Sequence, residues 1–178
     1  KSLGNAPWRV RKIFSIDPYF AVLNFAADRL AAMPEIQQEQ INRRWILFDR
    51  WVDSQQHQAA RISDSVKRQE FLQYIYWYEH TVMRLPEPDK VVFCDISLEI
   101  AMENARKRAS TKVDSGQDQV EVDAKYLKAG IELYRETAAK NPDWIWINCM
   151  RNVIDMKGEA EIQHEILEGL RRHKILPE

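Results

Sequence analysis

Two adjacent residues of opposite charge, Asp49 and Arg50, follow the apolar run Trp45-Ile46-Leu47-Phe48 and precede a polar stretch of Asp53, Ser54, Gln55, Gln56, His57 and Gln58. A four-residue apolar run has the length of a buried strand, so the sequence predicts a strand over 45–48 that ends on an acid and a base. Neighbouring side chains on a strand point to opposite faces. Asp49 and Arg50 would therefore serve two different partners rather than each other. Upstream, Phe25 and Arg29 stand four residues apart in "AVLNFAADRL" and share one face of a helix predicted over 18–33. An aromatic plate beside a guanidinium can stack on a planar ring and donate hydrogen bonds to its carbonyl edge. The same spacing also suits a core phenylalanine and a surface arginine on an amphipathic helix.

The elements that must position these residues alternate. Residues 91–96 and Trp144–Asn148 read as two further buried strands, rich in β-branched and aromatic side chains. Between them and the first strand lie helical patterns. Residues 66–84 carry Phe71, Leu72, Ile75, Tyr76, Tyr78, Val82 and Met83 at three- and four-residue spacings. Pro86 and Pro88 end that pattern, because proline cannot continue a helix. Ser97 suits an N-cap, with Glu99 in the first turn of a helix over 98–108. A polar link over 110–119 leads to a helix of about 20 residues ending near Lys140, and residues 158–173 form a terminal helix with Ile162, Ile166, Leu167 and Leu170 inward. Strands and helices alternating in this way predict a three-layer α/β fold, a parallel sheet with helices on both faces, whose ligands bind at the carboxyl ends of the strands. Asp49 and Arg50 fall at that edge.

Composition narrows the function classes. The 178 residues suit one domain, with 45% apolar and 30% charged residues and only 5 Gly and 7 Pro, which fits a helix-rich packed protein. A formal net charge of −1 gives no sign of a nucleic-acid partner, so any phosphate binding must be local. No apolar run approaches the roughly 20 residues of a membrane helix, and no signal peptide opens the chain. The cytoplasm, or an organelle matrix, is the expected location. Cys94 and Cys149 each lie in an apolar run and are expected to be buried reduced thiols.

In order along the chain, "FAADR", "DRWVDS" with glutamines nearby, "PEPDKVVFCDISLEIAMENARKR" and "YLKAGIELYRETAAKNPDWIWINC" resemble the landmarks of the thymidylate kinase family, from about residue 17 to the terminal helix. The resemblance implies a P-loop kinase-like fold and a homodimer that transfers the γ-phosphoryl group of ATP to dTMP, giving dTDP, with magnesium. By the same resemblance Phe25 would stack on the thymine and Arg29 would hydrogen-bond its O4 edge. Arg50 would clamp the acceptor phosphate, while Asp49 would hold magnesium, directly or through its water. Ser54, Gln55 and Gln58 would line base and sugar, Tyr134 would close the sugar end, and Arg106, Lys107, Arg108 and Lys112 would flank the lid over the phosphates. Phosphoryl transfer asks for these residue types: two polyanions must be held in line while charge spreads over equatorial oxygens, and arginine meets phosphate bidentately while staying charged. The basic cluster also suits the solvated end of a helix.

Some family features are absent from these residues. No G-x-x-x-x-G-K-[ST] phosphate loop occurs, so residues 1–178 are expected to form a single kinase-like domain without its first strand, P-loop and following helix. Trp51 stands where the family has tyrosine, and Gln119 where many relatives carry arginine. Two other readings stay open: a non-catalytic kinase-like subunit of a larger assembly, and a kinase for another nucleotide.

Overall fold

The computed structural model describes residues 17–111 and 124–177. The chain forms two compact units, Lys1–Glu87 and Pro88–Glu178.

In the first unit, α1 spans Pro18–Ala31. Proline at the first helical position has no N–H to leave unpaired, and the carboxylate of Asp17 accepts hydrogen bonds from the backbone N–H groups of Tyr19 at 2.8 Å and Phe20 at 3.3 Å. Ala21, Val22 and Ala26 are its buried face. A second helix not anticipated from the sequence, α2 at Met33–Ile41, buries only Ile36; its polar, glutamine-rich composition carries too weak a period to be read. After a 3-10 turn at Val52–Gln55 and the single turn α3 at Gln56–Ala59, α4 runs over Ser65–Tyr76. Asp64 caps it through the N–H of Lys67 at 2.9 Å. The helix then widens into a π-helical segment, Trp77–Val82, so the predicted helix over 66–84 is present with an irregular final stretch. Phe71, Ile75 and Glu79, four residues apart, form its buried stripe, and Tyr19 of α1 packs edge-on against Phe71 at 4.7 Å.

The strand predicted over 45–48 is not formed. That stretch is irregular and exposed, with Trp45 72% and Leu47 96% accessible. An extended segment becomes a strand only when a neighbour takes its backbone N–H and C=O groups, and among the described residues the only ladder joins the other two strands. Asp49 and Arg50 therefore occupy a bend rather than a strand end.

The second unit is built on that ladder. β1 at Val91–Asp95 and β2 at Trp144–Asn148 pair in parallel, from Val91 opposite Trp144 to Asp95 opposite Asn148. Alternation sends Phe93, Trp144 and Trp146 to one face, where Phe93 and Trp144 meet Tyr134 of α6, the helix Ala124–Lys140. The other face carries Ile145, Ile147 and Cys149 against Ile162, Ile166 and Leu170 of α7, Glu159–Arg172. The second unit is thus mixed α/β, with helices against a small parallel sheet of two strands; the larger three-layer sheet expected from the sequence is not seen among the described residues. Between the strands, α5 spans Leu98–Thr111, with the Ser97 hydroxyl accepting from the N–H of Ile100 at 3.3 Å. One cysteine expectation fails: Cys149 is buried but Cys94 is exposed. β1 is the less covered strand: it buries only Asp95, whereas β2 buries Trp144, Ile145 and Ile147. Burial and the adjacent Cys94 push the Cys149 thiol up to about 12. No helix among the described residues is long and apolar enough to cross a membrane.

Gly169 on α7 lies close against the sheet: a methyl group there would stand 2.6 Å from Cγ2 of Ile145. Alanine would gain about 1 kcal/mol of helix propensity, but overpacking costs roughly 1–3 kcal/mol. Gly169→Ala is expected to lower the denaturant midpoint; a raised midpoint in urea titration would show that Ile145 yields freely.

Candidate functional site

A cavity of about 350 Å³ opens in the first unit, and its wall includes Asp28 and Arg29 from α1, Ile36 from α2, and Phe48, Asp49, Arg50 and Trp51 from the segment after α2. Its size is within the range of small-molecule sites. Three of the residues singled out from the sequence, Arg29, Asp49 and Arg50, meet here.

Arg29 is the most constrained of the three. Its Nε donates to Oε2 of Glu79 at 2.6 Å, and its Nη2 donates to Oε1 of the same carboxylate, a two-point pair. The Arg29 side chain is 12% exposed and that of Glu79 is 0% exposed. Burial pushes the Glu79 carboxyl above its ordinary value, while the Arg29 guanidinium opposes that rise. The guanidinium carbon lies 6.0 Å from the Trp51 ring centroid, within cation–π range. Trp51 is itself fixed, stacked on Phe48 at 4.2 Å and donating from its indole N–H to the carbonyl of Pro86 at 2.9 Å. Glu79, the partner of Arg29, is the residue at this site that the sequence reading missed. Its signal was a charge at the third position of the stripe begun by Phe71 and Ile75.

Asp49 and Arg50 are exposed, and Arg50 has φ 70°. Among the described residues three other non-glycine residues have positive φ: Arg43, Arg84 and Lys174. Each stands just beyond the C-cap of a helical segment, where a left-handed residue commonly closes the helix. Arg50 follows no helix. Its left-handed backbone, which costs of order 1–3 kcal/mol, lies in the bend at the cavity wall.

Beyond the bend, Gln55 and Gln58 are buried, 3% and 4% exposed. The Oε1 atom of each has no hydrogen-bond partner among the described residues. His57 sits between polar neighbours: Nδ1 lies 2.5 Å from the carbonyl of Ser54, and Nε2 lies 2.8 Å from Nε2 of Gln58. A neutral ring donating from Nδ1 and accepting at Nε2 satisfies both. Burial accordingly holds the His57 pKa below its ordinary value, and burial raises the carboxyl of nearby Asp53. Phe25, one turn before Arg29 on α1, is 39% exposed. None of Phe25, Ser54, Gln55 and Gln58 lines the cavity. In the second unit Tyr134 stacks on Phe93 at 5.7 Å, Arg106 is exposed on α5, and Lys107 pairs with Glu103 at 2.6 Å. The Arg108 side chain, Lys112 and Gln119 lie outside the described residues.

Among the described residues no cluster of three His, Cys, Asp or Glu side chains could hold a metal. Magnesium does not need one: it keeps several waters and binds through one or two carboxylates plus substrate phosphates. An exposed Asp49 beside Arg50 fits that requirement.

Two arginines and an acid around a cavity of nucleotide-compatible size, in a chain of helices with a parallel sheet, describe an α/β protein equipped for an anionic ligand. The family model for thymidylate kinase matches residues 10–157. The chain belongs to the thymidylate kinase family, and with it to the nucleoside monophosphate kinases. Among curated proteins none matches the chain.

The depressed His57 pKa has a signed consequence. As pH falls below the ordinary histidine value near 6.5, the unfolded chain takes the proton before the folded protein does, so stability drops from there down to the folded value. The slope is at most about 1.4 kcal/mol per pH unit. His57→Gln is expected to lack this component; urea titrations of both proteins between pH 7 and pH 5 that gave parallel stability curves would refute the assignment.

Proposed function

We propose that the protein transfers the γ-phosphoryl group of ATP to dTMP, giving dTDP, and that it does so as a homodimer. The observation that carries this reading is the meeting of Arg29, Asp49 and Arg50 at one cavity. Arg50 grips the acceptor phosphate: its fork suits two phosphate oxygens and its charge persists in a desolvated site. Arg29 offers N–H donors to the carbonyl edge of the base, and Phe25, still 39% exposed, supplies an aromatic face one helical turn away. Asp49 holds magnesium, which when bound neutralises charge on the phosphates. Leu23 and Leu30 on α1, exposed at 37% and 42%, support pairing through that helix.

The direct test is product formation from ATP, magnesium and a panel of nucleoside monophosphates; a protein that phosphorylates cytidylate or guanylate but not thymidylate would exclude this substrate. Two variants separate the roles. Arg50→Lys keeps the charge and loses the fork, so kcat/KM is expected to fall by roughly 100-fold; activity at the wild-type level would remove Arg50 from the acceptor site. Phe25→Ala is expected to raise KM for thymidylate with kcat nearly unchanged, because stacking is present in ground and transition states alike. The rise would be about 5- to 100-fold, from the 1–3 kcal/mol of a base–aromatic stack, and an unchanged KM would place the base elsewhere.

A further inference from the structure

Glu79 stands where the stripe Phe71 and Ile75 calls for an apolar side chain, and it is wholly buried. A buried carboxylate must find a cation, and Arg29, fifty residues earlier in sequence, supplies it through Nε and Nη2. Such a pair is seldom held for stability. Well-packed apolar residues of the same volume serve as well or better, whereas breaking one partner is strongly destabilising. What the pair does supply is orientation. Of the five guanidinium N–H groups, two are fixed on Glu79, the plane is set near Trp51, and the remaining donors have no acceptor among the described residues. Arg29 also lines the cavity. The π-helical segment that carries Glu79 is itself a rare geometry, frequently found at functional sites.

We propose that Glu79 is a positioning residue that sets base selectivity: by clamping Arg29 from behind, it fixes a surface of donors only, which accepts a pyrimidine with a carbonyl at position 4 and rejects one with an amino group there. This rests on the reading of the cavity as a nucleoside monophosphate site. A clamped guanidinium cannot rotate to relieve a donor facing a donor, and a buried unmatched donor is costly. Without the clamp the side chain gains other rotamers, and discrimination falls.

The test compares the whole protein with Glu79→Gln, in which one amide oxygen remains but the charge and the second acceptor are lost, and with the double variant Arg29→Met/Glu79→Met, in which both buried charges are replaced by apolar side chains of similar size. For each, KM, kcat and calorimetric Kd are measured with thymidylate and with deoxycytidylate. The expected result for Glu79→Gln is a KM for thymidylate raised by about 10-fold with kcat within a factor of about 2, and a preference for thymidylate over deoxycytidylate reduced by about 10-fold or more. The double variant is expected to keep wild-type thermal stability and lose the preference, which covers the case of Glu79→Gln failing to fold. A double variant that keeps the wild-type preference would overturn the proposal, as would a Glu79→Gln protein of reduced stability and unchanged KM. A wild-type protein that binds neither nucleotide would overturn the functional reading, and this assignment with it; the two failures differ in whether the wild type or only the variants depart from expectation.

Discussion

Burying a carboxylate obliges the chain to bring a cation to it, and each compact unit is organised around one such obligation. In the first unit Glu79 draws in Arg29 and so ties α4 to α1. In the second, Asp95 at the end of β1 takes both oxygens to Nε of Arg135, at 3.0 and 2.9 Å, and one to the indole N–H of Trp146, at 3.1 Å. That acid joins β1 to α6 and to its strand partner β2. Both acids are nearly or wholly buried, and neither could be accommodated without its partners. Apolar stripes would let the same helices slide or rotate by a turn at modest cost. A two-point ion pair with fixed geometry does not, so these contacts define which residues of α1 and α6 face inward.

The two pairs differ in what they leave over. Arg135 spends only its Nε on Asp95 and is 43% exposed, so water solvates the rest of it and little follows for ligand binding. Arg29 is 12% exposed and lines a cavity, so its spare donors face a much smaller choice of acceptors. The same chemistry is therefore solvated in one unit and set at a cavity wall in the other. Exposure and placement make that difference; residue type does not. Near the Arg29 pair, the bend at Asp49 and Arg50 adds a strained backbone that no helix end requires, and strain of that kind persists only where its surroundings hold it.

How much of this could be read from the sequence depends on whether the determining interaction was local. β2 was legible to the residue as Trp144–Asn148, because its alternation matches a sheet with a different helix on each face. The Ser97 cap and the ends of α6 and α7 were legible too, since capping and helix-breaking act over three or four residues. The run over 45–48 looked the same as a strand, but a strand needs a neighbour that no local pattern reports, and Leu47 is left 96% exposed. Arg29 was picked out by its spacing from Phe25, whereas its partner Glu79 was hidden inside "YWYEHTV", because pairing across fifty residues leaves no periodic trace. The helix widening at Trp77–Val82 was invisible for the same reason. Gln55 and Gln58 were legible as candidates only through family resemblance; their burial, which gives them chemical meaning, came from the packing of α3 against α1 and α4.

Those two glutamines and His57 complete an asymmetry in the first unit. Arg29 keeps donors beyond the two fixed on Glu79, while Gln55 and Gln58 hold buried amide oxygens without donors among the described residues. Each buried orphan costs of order 1–3 kcal/mol, so folding alone would favour apolar replacements at both positions. His57 cannot relieve them as a neutral ring, since its one N–H already serves the carbonyl of Ser54 and its other nitrogen faces the amide of Gln58. A positively charged ring could offer a second N–H, but burial opposes that charge. The deficit is thus maintained by the surrounding packing, and it has two signs. A bare phosphate would answer only the arginines, and an apolar ligand would answer neither. An acceptor in the cavity would answer Arg29, which lines it, whereas the oxygens of Gln55 and Gln58 are buried and do not line it, so the two deficits are separate features of this unit.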